Sequence, residues 1–248
     1  MRGDEQPLLS VVIPCYNEER RLGRSLRRIL EYLEQSGWSW ELIVVDDGSS
    51  DGTVTLVREL APMAKVLSHH PNRGKGYAVQ QGMLAAGGQW VLFTDSDLAT
   101  PIEHLGEFMP VAQQGVPVVI GSRKMRGAVI EHAQPWLRRH LAKGFALLSN
   151  LMLGTRLADT TCGFKLFSRE AAQAIFSRQT IHDWTFDSEN MAVARLLGYR
   201  VRELPVRWCD SPATKVRLLR DTIKSFLGLL VIRRNIWAGR YRQPGEPA

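Results

Sequence analysis

Five short apolar runs punctuate the first half of the chain: LSVVIPCY, ELIVVDD, AKVLSH, QWVLFTD and VPVVIGSR. A helical segment follows each of the first four. Between Glu18 and Gln35 the apolar residues Leu22, Leu26, Ile29, Leu30 and Leu33 recur at helical spacing. Asp51 or Thr53 caps a second helix, a third runs to about Ala86, and Pro101 opens a fourth. This strand–helix alternation restricts the fold severely. Near-continuous Val/Ile/Leu runs fit strands buried on both faces, and long crossovers join parallel strands. The predicted architecture is an α/β fold with a mostly parallel central sheet and helices on both faces.

Such sheets bind ligands outside the carboxyl ends of their strands. Here those ends carry PCYNEE, DDGSSDGT, HPNRGKG, TDSD and GSRK. Two common nucleotide signatures are missing. No G-x-G-x-x-G follows the first strand, and NRGKG is not G-x-x-x-x-G-K-[ST]. Hydride transfer and P-loop hydrolysis are therefore disfavoured. Asp46 and Asp47 read either as turn residues with Gly48 or as acceptors for a nucleobase or a sugar hydroxyl. Arg73 and Lys75, with two glycines before a helix, form either a solvated loop or a phosphate site built on helix amides. Asp95 and Asp97 in LFTDSDLATP flank one serine, so an extended chain points both the same way. They either help start the helix at Pro101 or hold a divalent cation, which prefers oxygen ligands. His69 and His70 lack further ligands at metal spacing and read as a solvated loop.

After residue 125 the alternation stops. Pro135–Gly154 reads as an amphipathic helix, DTTCGFKLFS as a turn and short strand, and Arg169–Ser177 and Phe186–Leu197 as helices. YRVRELPVRW reads as a strand. A last helix over about Val216–Trp237 carries FLGLLVI between basic residues. Trp136, Phe145 and Trp184 read as core or interface. With 248 residues, no internal repeat and no linker, one domain is expected. The 32 basic and 25 acidic residues leave a net charge of +7, which favours an anionic partner. Three scattered cysteines without CxxC spacing read as reduced thiols. The start MRGDEQP is polar rather than signal-like, and FLGLLVI is far shorter than the roughly 20 apolar residues of a membrane span.

Taken together, PCYNEE, DDGSSDGT, NRGKG and DSD after successive strands resemble the GT-A fold, family 2 nucleotide-sugar glycosyltransferases. Further on, GSRKMRG, WLRRHLAKGFALLSNLMLG, DTTCGFKLFSREAA, WTFDSE and SPATKV resemble the dolichyl-phosphate β-glucosyltransferase group and its prokaryotic relatives, cousins of the dolichyl-phosphate mannose synthases. The eukaryotic members carry an N-terminal membrane anchor, which the sequence before the first strand does not supply. The resemblance implies one GT-A domain over 1–248: a nucleotide-sugar-binding half at about 8–124, an acceptor half at about 125–215, and a C-terminal amphipathic helix at about 216–240.

By the same resemblance, Pro14, Tyr16, Asn17 and Glu18 line the nucleotide pocket, Asp47 meets the base or ribose, and Lys75 lies near the base or diphosphate. Asp95 and Ser96 join the donor site, and Asp95 and Asp97 hold Mg²⁺ or Mn²⁺. Arg123, with Arg138 or Arg139, grips an acceptor phosphate, since guanidinium donor forks fit its oxygens; a solvated basic face is the alternative. Lys215 closes over the diphosphate or acceptor. The implied reaction moves a hexose, glucose from UDP-glucose, to a polyprenyl or dolichyl phosphate with inversion. GDP-mannose as donor or a soluble alcohol as acceptor are the alternatives. An alcohol needs a general base, for which Asp187 or Glu189 is the candidate, whereas a phosphate is already ionised. The C-terminal helix reads either as a membrane-surface element or as one packed on its own core. A cytoplasmic enzyme, peripheral on the cytoplasmic face of the membrane and without a nucleic-acid partner, is expected. A sugar-nucleotide pyrophosphorylase would carry its glycine-rich signature where this chain has PCYNEE. A non-catalytic binding protein would not need an intact DSD.

Overall fold

The computed structural model describes residues 6–131, 136–209 and 218–242; side chains are described outside 136–143 and 218–223. In chain order the elements are β1 (Leu9–Cys15), α1 (Glu19–Gln35), β2 (Trp40–Asp46), α2 (Thr53–Leu60), β3 (Lys65–Ser68), α3 (Lys75–Ala85), β4 (Trp90–Thr94), α4 (Leu105–Gln113) and β5 (Val118–Ser122). There follow β6 (Val129–Ile130), α5 (Trp136–Leu153), β7 (Phe164–Ser168), α6 (Arg169–Phe176), α7 (Phe186–Leu196), β8 (Val201–Pro205), β9 (Arg207–Trp208) and α8 (Leu218–Trp237). The stripe expected on the first helix is buried at every position from Leu22 to Leu33. Burying each such side chain stabilises the fold by about 2 kcal/mol. Asp51 accepts the amide of Thr53, the first residue of α2, at 3.0 Å.

Seven strands form one sheet in the order β3-β2-β1-β4-β7-β5-β8. The alternation of strand side chains divides the core in two. Val12 packs with α3, α6 and α7 on one face. Val11 and Ile13 pack with α1 and α4 on the other. Pro14 lacks an N–H, and it sits past Val12, the last β1 residue that pairs with β4, so no ladder bond is lost.

One strand departs from the parallel expectation. β7 inserts between β4 and β5 and runs antiparallel to both. Its start therefore lies at the same edge as the end of β4, and Phe164 pairs with Thr94. The predicted YRVRELPVRW strand also divides at Val206 into β8 and β9, and β9 pairs with β6 in a separate ribbon.

Candidate functional site

The loops after β1 and β2 are stitched together. The amides of Asn17 and Glu18 donate to Ser49 Oγ (2.9 Å) and Thr53 Oγ1 (2.8 Å), and Ser50 N donates to Asn17 Oδ1 (2.8 Å). Asn17 has φ 50°, a left-handed conformation that asparagine tolerates well. The Glu18 carboxylate takes a forked pair of bonds from Arg21 at 2.7 and 2.8 Å. Tyr16 stands exposed beside them.

Asp46 and Asp47 divide their work. Asp46 closes the turn by accepting from Ser49 N at 3.1 Å. Buried Asp47 organises the NRGKG loop. Its carboxylate accepts from Arg73 N (2.8 Å) and Gly74 N (2.9 Å) and lies 2.6 Å from His69 Nε2. Two loop amides available for an anion are thus already satisfied by Asp47. A third, Gly76 N, donates to His182 O at 2.8 Å. A Cβ at Gly74 would stand 2.5 Å from His182 O, so this glycine admits the 182–186 segment rather than a phosphate. His69 is correspondingly no solvated residue: its ring packs edge-on against Tyr77, centroids 4.7 Å apart.

The other loop residues converge on a row of alternating charges. Lys75 starts α3, and its Nζ lies 2.5 Å from Asp95 Oδ1. It also lies over the rings of Phe93 (5.4 Å) and Trp184 (5.1 Å). Trp184 is 40% exposed, so of the two places expected for it, core or interface, it is not in the core. Asp187, in the first turn of α7, pairs with Lys165 of β7. These two are 5% and 2% exposed, deep enough that neither would be tolerated without the other. Burial opposes the Lys75 ammonium, but Asp95 and Asp187 outweigh it and raise its pKa. Burial also raises the Asp187 carboxyl, against the pull of Lys165 and Lys75.

Asp97 completes the row. Its Oδ1 accepts from Ala99 N at 3.1 Å, so the segment turns at once into the Thr100–Pro101 helix start. Burial and then the Asp95 charge raise its carboxyl. Ser96 is half-buried between them. The reversed direction of β7 fixes this corner. Asp95 N donates to Gly163 O at 3.1 Å. A Cβ at Gly163 would stand 2.6 Å from Asp95 Oδ1 and closer still to Oδ2. Among the described residues no three His, Cys, Asp or Glu side chains converge as a complete metal cage. Two neighbouring carboxylates, one of them raised by the other's charge, suit a hard cation that completes its shell from diphosphate oxygens and water.

At the end of β5, Arg123 is bound to Asp159 by two parallel bonds of 2.7 and 2.8 Å and to Thr161 Oγ1 by one of 2.8 Å. Among the described residues, three of its five donors are used. The guanidinium carbon lies over the Trp208 ring, 5.3 Å from its centroid. Burial raises the Asp159 carboxyl, but Arg123 overcomes this and holds it well below the usual carboxylate range. The amide of Asp159 is held in turn by Glu203 at 2.9 Å. Arg138 and Arg139 fall in the first turns of α5, outside the residues whose side chains are described, and Lys215 lies outside the described residues. Glu189 faces away from the crevice. It is fully buried and takes hydrogen bonds from Thr180 N, Thr180 Oγ1, Ile181 N and Tyr241 Oη, which makes it a structural carboxylate.

Sequence reasoning missed Lys165, Asp159 and Gly163. Lys165 had a signal, a lone lysine inside the apolar run FKLF, since lysine is almost never fully buried unless paired.

Comparison with known proteins identifies the family and the fold. The profile of Glycosyl transferase family 2 matches residues 10–176. A dolichyl-phosphate beta-glucosyltransferase of Trichomonas vaginalis is 35% identical over 255 residues, covering 96% of this chain and 78% of that one. The Homo sapiens dolichyl-phosphate beta-glucosyltransferase is 32% identical over 251 residues, covering 94% and 77%. Among solved structures, glucosyl-3-phosphoglycerate synthase from Mycobacterium tuberculosis in complex with Mn²⁺, uridine-diphosphate and glucosyl-3-phosphoglycerate superposes with a TM-score of 0.68 at 20% identity, covering 92% and 80%. Mannosyl-3-phosphoglycerate synthase from Rubrobacter xylanophilus superposes with a TM-score of 0.67 at 20% identity, covering 97% and 79%. These two likenesses concern the fold.

Proposed function

The chain belongs to glycosyl transferase family 2, and we propose that it transfers glucose from UDP-glucose to a polyprenyl or dolichyl phosphate with inversion at the anomeric carbon. The observation that carries this reading is the charge row Asp97–Asp95–Lys75–Asp187–Lys165 at the strand ends. It is suited to a sugar diphosphate, whose leaving group gains charge as the glycosidic bond breaks. Asp95 and Asp97 would hold Mg²⁺ or Mn²⁺, which offsets that charge when bound. Lys75 supplies a further cation beside it. Pro14, Tyr16, Asn17, Glu18, Asp47 and Ser96 form the walls on the donor side, with Asp47 acting by holding the 69–74 loop in shape.

Arg123 is the proposed anchor of the acceptor phosphate, together with Arg138 or Arg139 and Lys215. Its Nη1 donors make no hydrogen bond among the described residues, and Asp159 fixes the direction in which they point. A phosphate is itself the nucleophile at neutral pH, so the protein's work is positioning and charge stabilisation. The burial of Asp187 against Lys165 favours a phosphate over an alcohol acceptor. A base engaged with a buried ammonium is poorly placed to take a proton. Attack opposite the diphosphate gives a β-linked product from an α-linked donor.

No helix among the described residues is long and apolar enough to cross a membrane. A peripheral attachment to the cytoplasmic face of the membrane through α5 and α8 fits their surface. α8 buries Leu229 and Ile232 in the core, while Leu227, Leu230, Val231 and Trp237 face outward. Leu147 and Leu151 of α5 extend the patch, and the Arg233 guanidinium lies 5.1 Å from the Trp237 ring. Apolar side chains flanked by arginines suit an anionic lipid surface. The test of the whole reading is transfer from radiolabelled UDP-glucose, with GDP-mannose in parallel, to polyprenyl phosphate. Product only with UDP-glucose and the lipid phosphate is expected. Transfer to a soluble alcohol alone, or from GDP-mannose alone, would replace the reading.

A further inference from the structure

Lys75 stands where a cation on Asp95 must contend with it. Its Nζ lies 2.5 Å from Asp95 Oδ1, and it is steered there by Phe93 and Trp184. Its other anionic neighbours are Asp187, which is already paired with Lys165, and the more weakly acting Asp97. Asp95 is the more open of the two carboxylates, and Asp187 is closed in. Three carboxylates and two ammonium groups give this row a formal charge of −1. A divalent ion alone would bring it to +1, with Lys75 still beside the ion. A diphosphate diester carries two negative charges, and its arrival with the ion would return the row to −1.

We infer that Lys75 is the resident counter-cation of Asp95 and leaves it for the donor diphosphate, so that divalent ion and nucleotide bind together instead of ion first. The inference rests on the donor-site reading above. The ammonium sits on a flexible four-carbon stem and can exchange partners without backbone movement. Before exchange it neutralises Asp95 and keeps the ion weakly held. After exchange it is a ligand of the diphosphate, and Asp95 is free for the ion. The Lys165–Asp187 pair leaves Asp95 as the carboxylate open to the ion, because Asp187 is already paired and too closed in to take the ion itself.

Mn²⁺ binding by the intact protein, followed by the electron paramagnetic resonance of free Mn²⁺, tests this without turnover. Mn²⁺ is titrated alone and then with saturating UDP, into the wild type, Lys75→Gln and Asp95→Asn. For Mn²⁺ alone, Lys75→Gln is expected to bind roughly tenfold tighter than the wild type, because a neighbouring positive charge is gone. UDP should tighten Mn²⁺ binding strongly in the wild type and much less in Lys75→Gln. Equal Mn²⁺ affinity of Lys75→Gln and wild type, with binding lost in Asp95→Asn, would overturn the inference and leave the donor site standing. Unchanged Mn²⁺ and UDP binding in Asp95→Asn would overturn the donor site itself. Should Lys75→Gln fail to fold, the wild type still decides: tight Mn²⁺ binding without UDP overturns the inference.

Discussion

Gly163→Ala is the sharpest probe of the corner where β7 meets β4. The added Cβ would stand 2.6 Å from Asp95 Oδ1 and closer to Oδ2. Either the carboxylate rotates off Lys75 or the two strand ends separate. Separation strains the bond from Asp95 N to Gly163 O (3.1 Å) and the adjacent Phe164–Thr94 pairing. Overpacking of this kind costs about 1–3 kcal/mol. For a chain of this length about 1.5 kcal/mol lowers Tm by roughly 3–6 °C, so the fold survives. Activity should suffer far more. A displacement near 1 Å of a positioned group costs about 10²-fold. We expect kcat/KM for UDP-glucose to fall about 100-fold, with Mn²⁺–UDP affinity falling in parallel. Gly106→Ala is the control: its Cβ would meet only Tyr32 Oη at 3.7 Å, and neither quantity should move. A folded Gly163→Ala protein with wild-type kcat/KM and Mn²⁺–UDP affinity would refute the claim that this glycine sets the place of Asp95.

Further outcomes follow from the buried pairs and the outer face. Asp159→Asn strands the Arg123 guanidinium, and urea unfolding should show a loss of about 3 kcal/mol, at the low end for a buried pair because Arg123 is partly exposed. The Asp159 carboxyl is held below its unfolded pKa, so its contribution is full above about pH 4 and is lost as pH falls through the lower folded value. The stability gap between wild type and Asp159→Asn should therefore narrow below pH 4. Lys165→Met and Asp187→Asn should each destabilise by about 3 kcal/mol, and the double variant by less than either; additive losses would mean that the two groups do not act as a pair. Leu227→Glu combined with Leu151→Glu should abolish co-sedimentation with anionic vesicles while Tm changes by only about 1–2 °C, since both side chains face outward. Undiminished vesicle binding would remove α5 and α8 from the proposed lipid surface.

Much of the fold was legible because its strands are buried on both faces and its helices carry a full apolar stripe. LSVVIPC and ELIVVD could hardly be anything but interior strands, and the α1 leucines are buried where their spacing puts them. The direction of β7 was not legible. Five residues, FKLFS, state that a strand exists, but direction is set by where the chain comes from, and the path from β6 through α5 returns it reversed. That reversal sends Lys165 and Gly163 to the end of the sheet where Asp95 lies, so the second half of the chain supplies part of the proposed site that the strand-end rule assigned to the first half alone.

Asp47 shows why strand-end carboxylates cannot be sorted from sequence. Asp47 and Asp95 each end a strand, precede a turn and face the same edge of the sheet. What separates them is the count of amides within reach. Around Asp47 the NRGKG loop folds back and brings Arg73 N and Gly74 N to the carboxylate, which spends its charge on shaping the loop. Around Asp95 no loop folds back; its carboxylate meets Lys75 and the edge of Gly163, and Asp97 beside it adds a second charge. A carboxylate satisfied by fixed amides is stable without a ligand, whereas one balanced by a flexible lysine keeps its charge exchangeable. The divalent ion proposed for this site is assigned to the second kind. The position of the lysine, and not the spacing of the aspartates, is therefore what distinguishes the two acidic turns.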